Sequence, residues 1–235
     1  RRDEMKRGRA IARDPSALVR LLQLASPTLP VGAYSYSQGL EAAVESGFVT
    51  DAPSARRWIG EVFELAVAGM EAPLAWRLLV SWRAGDLDAV SRWNDEVLAS
   101  RETAELRAET VQMGYSLRRL ARELAIEGAP ALEAIDEVAY PTAFAFAATA
   151  WGIDAEDALT AYLWAWLENQ VLAAVKAVPL GQTDGQRLLL ALSGGVSAAV
   201  RHAQDVADGE LANFAPGLAL ASAGHETQYS RLFRS

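Results

Sequence analysis

Two imidazoles, His202 and His225, and no thiol are all that 235 residues offer to metal or nucleophile chemistry of the usual kinds. Without cysteine there is no disulfide framework, thiolate zinc site or cysteine nucleophile. A Ser-His-Asp arrangement would have to run through one of the two histidines. His202 falls in a helical run rich in Ala and Val, where a hydrogen-bonded structural histidine is expected. His225 opens a polar C-terminal run and is weighed between a hydrogen-bonding role and a weak metal contact. Nickel and zinc prefer imidazole and thiolate, so an intrachain high-affinity site is not expected, although a dimer could bring two copies of one histidine together. The acidic pairs Asp86 with Asp88 and Glu156 with Asp157 read as helix N-terminal charges that complement the macrodipole. No phosphate loop, dinucleotide-binding glycine fingerprint, nucleophile elbow or H-E-x-x-H motif occurs. These absences argue against an enzyme.

The elements that would position such residues are helices. Over 102–127, Leu106, Met113, Leu117, Leu120 and Leu124 draw one apolar stripe at helical spacing, with charges assigned to the other faces. Asp14-Pro15, Asp51-Ala-Pro53, Gly85-Asp86 and Gly128-Ala-Pro130 mark helix starts and separations. The stretch 179–185 reads as a turn, followed by helical runs over 186–192 and, after Gly194-Gly195, to about Val206. The expectation is an all-α, single-domain bundle of roughly eight to ten helices over residues 15–235, preceded by a flexible basic extension over 1–14. With 51% hydrophobic residues the chain can bury a sizeable core. Its net charge of −8 argues against nucleic acid as a partner. The apolar stretches 138–153 and 158–180 are interrupted, the first by Pro141 and the second by Glu168, Asn169, Gln170 and Lys176, and so read as buried helices rather than membrane spans. No secretory signal is apparent, and a cytoplasmic location is expected.

Three segments depart from ordinary helix and loop. In Ser26-Pro-Thr-Leu-Pro-Val-Gly-Ala-Tyr-Ser-Tyr-Ser-Gln-Gly-Leu-Glu41, prolines and glycine hold an extended turn that releases into a helix near Ser35, with Tyr34 and Tyr36 at the junction. In Glu168-Asn-Gln-Val-Leu-Ala-Ala-Val-Lys-Ala-Val-Pro-Leu-Gly-Gln182, a lone Lys176 precedes a proline stop, where it snorkels, caps the helix or meets an acidic partner. The run His225-Glu-Thr-Gln-Tyr-Ser-Arg-Leu-Phe-Arg-Ser235 interleaves arginine with Tyr229, Leu232 and Phe233. That composition suits an interface anchor and equally a packed C-terminus.

Together with Ser100-Arg-Glu-Thr-Ala-Glu-Leu-Arg-Ala-Glu109, these segments resemble the urease accessory protein family UreF over about residues 16–235. The resemblance implies a homodimeric all-α scaffold that binds UreD (UreH in some species) and recruits the GTPase UreG, which carries nickel to the urease apoprotein. It implies no tightly bound cofactor, nickel being handled by the assembled complex. Partner-facing positions carried over are Tyr34, Tyr36, Gln38, Glu41, Lys176, Gln228, Tyr229, Arg231, Leu232 and Phe233. Glu41 could equally be a solvated residue stabilising a helix dipole, and Lys176 could be structural. On this reading the tail, about 225–235, orders against the first turn when UreD binds. The alternative role is regulation of the UreG GTPase, with Arg231 or Gln38 completing the partner's active site.

Overall fold

The computed structural model describes residues 14–235, and the basic stretch expected as a flexible extension lies, through residue 13, outside the described residues. Helices α1 (Pro15–Leu24), α2 (Leu40–Glu45), α3 (Ala52–Val62), α4 (Ala72–Ala84), α5 (Leu87–Ala99) and α6 (Ala104–Glu123) form the first half. Helices α7 (Ala129–Glu133), α8 (Tyr140–Ala150), α9 (Ala155–Ala177), α10 (Gln182–Leu192), α11 (Gly194–Asp205) and α12 (Pro216–His225) form the second. Only α2 and α7 are shorter than ten residues, which leaves ten substantial helices and no strand among the described residues.

The starts follow from side-chain chemistry. Asp14, Asp51, Asp86, Thr103 and Asp154 each accept a hydrogen bond from a backbone N–H in the first turn of the helix that follows, satisfying donors that no carbonyl of the same helix can reach. Helix α9 is buried nearly all round, including Leu159, Leu163, Leu167 and Val171, and packs against α1, α2, α3, α4, α8, α10 and α11. Its exposed residues, Glu156, Thr160, Leu172 and Lys176, lie toward its two ends. Among the described residues no helix is long and apolar enough to cross a membrane.

Residues 52–84 run as one helical rod with a π-helical stretch, Phe63–Glu71, between α3 and α4. Its cause is Pro73, which lacks the N–H that would bond to the carbonyl of Gly69 in a regular α-helix. The rod widens instead, so that the Ala72 N–H bonds to Val67 O. The orphaned Gly69 carbonyl accepts from Ala212 N at 3.3 Å. The loop before α12 is thereby tied to the rod.

Two expectations need correction. The stretch 179–185 is not all turn: α10 starts at Gln182, and Gly185 lies inside it because a Cβ there would come within 2.9 Å of Val175 Cγ2 on α9. The glycine serves close packing rather than a bend. On α6, Leu106, Met113 and Leu117 are buried as the stripe requires, but Leu124 is exposed and the helix ends before it. Glu109 and Thr110 are buried on a face that was expected to be apolar.

Candidate functional site

The first turn, α6, α9 and the C-terminal run converge on a buried polar network. The chain enters it through a short 3-10 turn, Ala33–Ser35, and reaches α2 only at Leu40, later than the helix start expected near Ser35. Gln38 adopts φ +50°, a left-handed conformation that a residue with a Cβ holds only when its surroundings fix it. They do so through both ends of its amide. Trp166 Nε1 donates to Gln38 Oε1 at 2.7 Å, and Gln38 Nε2 donates to Glu109 Oε1 at 2.7 Å.

The tail then closes over this turn. Ser37 donates to the main-chain oxygen of Ser235 from both its N–H and its hydroxyl, at 2.7 and 2.5 Å. Arg234 N donates to Ser35 O at 2.8 Å, and Ser235 Oγ meets Glu109 Oε2 at 2.9 Å. Farther back, the Glu41 carboxylate accepts from Leu232 N at 2.6 Å and Phe233 N at 2.9 Å. His225, fully buried, places Nε2 3.1 Å from Glu41 and Nδ1 2.8 Å from Glu105. Both ring nitrogens can donate only in the imidazolium form. Arg231 completes the chain with Glu105 at 2.7 Å.

Beneath lies a second set, in which Glu71 meets Arg101 at 2.6 Å and accepts from the Tyr162 hydroxyl. Burial works to raise the Glu71 carboxyl, but the Arg101 guanidinium outweighs it and holds the group below its ordinary range. Glu109 has no such counter-charge in contact. Burial pushes it up to about 7 against the opposing pull of Gln38, Ser235 and the more distant Arg101. A cavity of about 60 Å³ separates the two carboxylates, lined by Gln38, Arg101, Thr110, Tyr140 and Tyr162 among others. Among the described residues no three or more ligating side chains are arranged to hold a metal ion.

Of the residues expected to face partners, Tyr36, Glu41 and Phe233 are buried and Gln38 is half-buried. Their side chains serve the interior instead, because each fills or satisfies a position in the network; in particular, Glu41 is not a solvated dipole residue. The tail lies against the first turn, the two segments expected to order against each other, and does so within the chain itself. Gln228 closes a tight turn onto Ser230 O. Tyr34 at 59% exposure, Leu232 at 73% and Tyr229, wholly exposed, remain at the surface. Lys176 joins them, its Nζ 5.9 Å from the Tyr34 ring and 5.8 Å from that of Phe233. His202 is exposed rather than structural. Sequence reasoning missed Glu105, Glu109, Glu71, Arg101 and Trp166 as site residues. The signal available for Glu109 was its place on the α6 stripe, three residues after Leu106 and four before Met113.

The family model for UreF matches residues 49–193, more than half of the chain. The chain belongs to the UreF family. It is similar to the urease accessory protein UreF of Azoarcus sp. (strain BH72), 62% identical over 223 residues, which covers 93% of this chain and 95% of that protein. The UreF proteins of Dechloromonas aromatica (strain RCB) and Janthinobacterium sp. (strain Marseille) are 55% and 54% identical, with 93% of this chain covered in each case and 97% and 98% of theirs.

Proposed function

We propose that the chain is a non-catalytic scaffold of urease maturation in the cytoplasm. It binds UreD and, through that complex and as a homodimer, recruits UreG for nickel insertion into the urease apoprotein. The observation that carries this reading is the pairing of exposed Tyr229 and Leu232 with a backbone pinned by Glu41. A segment held rigid while it displays large apolar groups binds with little loss of conformational entropy. Tyr34 and Lys176 extend the same face. The GTPase-regulating alternative has less support. Arg231 is engaged by Glu105 and by the carbonyls of Glu226 and Gln228, and both ends of the Gln38 amide are occupied.

The test is size-exclusion chromatography with light scattering on mixtures with UreD and with UreG plus GTP, comparing the native chain with a Tyr229→Ala, Leu232→Ala double variant. A ternary species formed by the native chain and lost in the variant supports both the scaffold and its face. An unchanged complex in the variant removes this face from the reading. Failure of the native chain to associate with UreD removes the scaffold itself.

A further inference from the structure

The C-terminal run is fastened at two points of different chemistry. At the near end, Glu41 and Glu105 grip His225, Arg231 and two backbone amides, so the carboxylates meet charged or backbone donors. At the far end, Glu109 meets only the neutral Gln38 amide and the neutral Ser235 hydroxyl. The two contacts of Glu109 are not equivalent. Trp166 fixes the Gln38 amide so that it can only donate. The Ser235 hydroxyl rotates freely between donating and accepting. A proton on Glu109 Oε2 therefore leaves the whole set of hydrogen bonds in place, with the bond to Ser235 reversed.

We propose that Glu109 is a proton-operated catch on the C-terminal run: protonated, it holds Ser235 against the first turn; ionised, it loosens that end. The direction follows from burial. An ionised carboxylate in this position gives up water for two neutral hydrogen bonds, and release of the tail re-exposes it. Docking of the tail thus takes up a proton, in keeping with a Glu109 carboxyl that burial pushes to about 7. The other titratable and charged groups facing this end are Arg101 before α6, Glu71 on the π-helical stretch, Tyr140 of α8 and Tyr162 of α9, both raised by burial, and Tyr36 of the first turn with Arg234 of the tail. Glu71 and Arg101 neutralise one another. Burial raises the Tyr36 hydroxyl from its ordinary value, which keeps it neutral across the range concerned. The Glu41, His225, Glu105 and Arg231 set holds the opposite end. The inference stands whichever partner the exposed face binds.

Amide hydrogen exchange of the segment 226–235 in the full chain, read by mass spectrometry between pH 6 and pH 8.5 and corrected for the intrinsic pH dependence of exchange, tests the catch. Protection of the native tail is expected to fall by roughly tenfold across this range, the linkage limit if undocked Glu109 titrates near its ordinary value. The same profile in Glu109→Gln, whose amide accepts from Gln38 and donates to Ser235, is expected to be flat. A flat native profile overturns the proposal without recourse to any variant. An equal fall in Glu109→Gln also overturns it, and would place the titrating group elsewhere than Glu109.

Discussion

Replacing Glu41 by Gln exchanges one oxygen of a buried carboxylate for an NH2 group at the place where the tail joins the core. In the native chain one oxygen accepts from Leu232 N, while the other accepts from Phe233 N and faces His225 Nε2. Neither orientation of the amide serves all three donors, since its NH2 must be set against at least one buried N–H. Hydrogen bonds to a charged group contribute about 1.5–3 kcal/mol each, and a stranded buried donor costs about 1–3 kcal/mol. The expected loss for Glu41→Gln is therefore about 3 kcal/mol, a fall in Tm of roughly 6–12 °C for a chain of this size. Urea unfolding followed by circular dichroism, paired with thermal melts, measures it. A cycle with His225→Gln should give a coupling energy above about 1 kcal/mol, because the two side chains share one bond. A loss below about 0.5 kcal/mol, or strictly additive single variants, would refute the claim that Glu41 anchors the tail through His225 and the two amides.

Glu109→Gln should make stability less dependent on pH. Because the folded carboxyl is raised to about 7, its contribution is fully present below its unfolded value near 4.5 and lost as pH rises through 7. Thermal melts should therefore show the variant close to native at pH 5 and more stable at pH 8, by up to on the order of 3 kcal/mol. Arg101→Met leaves Glu71 buried without its counter-charge and should lose about 3–5 kcal/mol by denaturant unfolding. Gly114→Ala would set a Cβ 2.0 Å from the Val138 carbonyl oxygen, backbone that cannot move aside, whereas Gly185→Ala meets only side-chain methyls, of Val175 at 2.9 Å and Val171 at 3.6 Å. The first should lose about 3 kcal/mol or fail to accumulate as soluble protein, and the second about 1 kcal/mol, in parallel thermal melts.

Helix starts were legible because each is signalled within a few residues: Asp14, Asp51 and Asp86 cap the helices that their neighbouring prolines and glycines announce. The stripe of Leu106, Met113 and Leu117 was legible for the same local reason. What escaped were features set by contacts between distant parts of the chain. Gly185 looks like a turn residue until α9 is seen against it. Glu109 looks like one more charge on a charged helix, and only its phase with the stripe hints at burial. The partners that satisfy it, Gln38 and Ser235, lie far away in sequence. The tail showed its composition but not its placement. Aromatic and arginine residues suit an interface of either kind, and here Phe233 turns into the chain's own core while Tyr229 and Leu232 turn out.

The π-helical stretch between α3 and α4 acts as a phase adjuster. A rod of regular winding that gains one residue is rotated by about 100° on one side of the insertion relative to the other. Phe63 and Val67 on the widened turn, Ile59 and Val62 before it, and Leu74 and Leu78 after it all face the interior, so the widened turn takes up its extra residue without turning either flank out of the core. Removal of one residue from 63–71 would restore ordinary winding while leaving α3 and α4 in phase with one another. The rod can therefore gain or lose that one residue without rotating its flanks, and nothing in its hydrophobic pattern marks it as anything but a long helix.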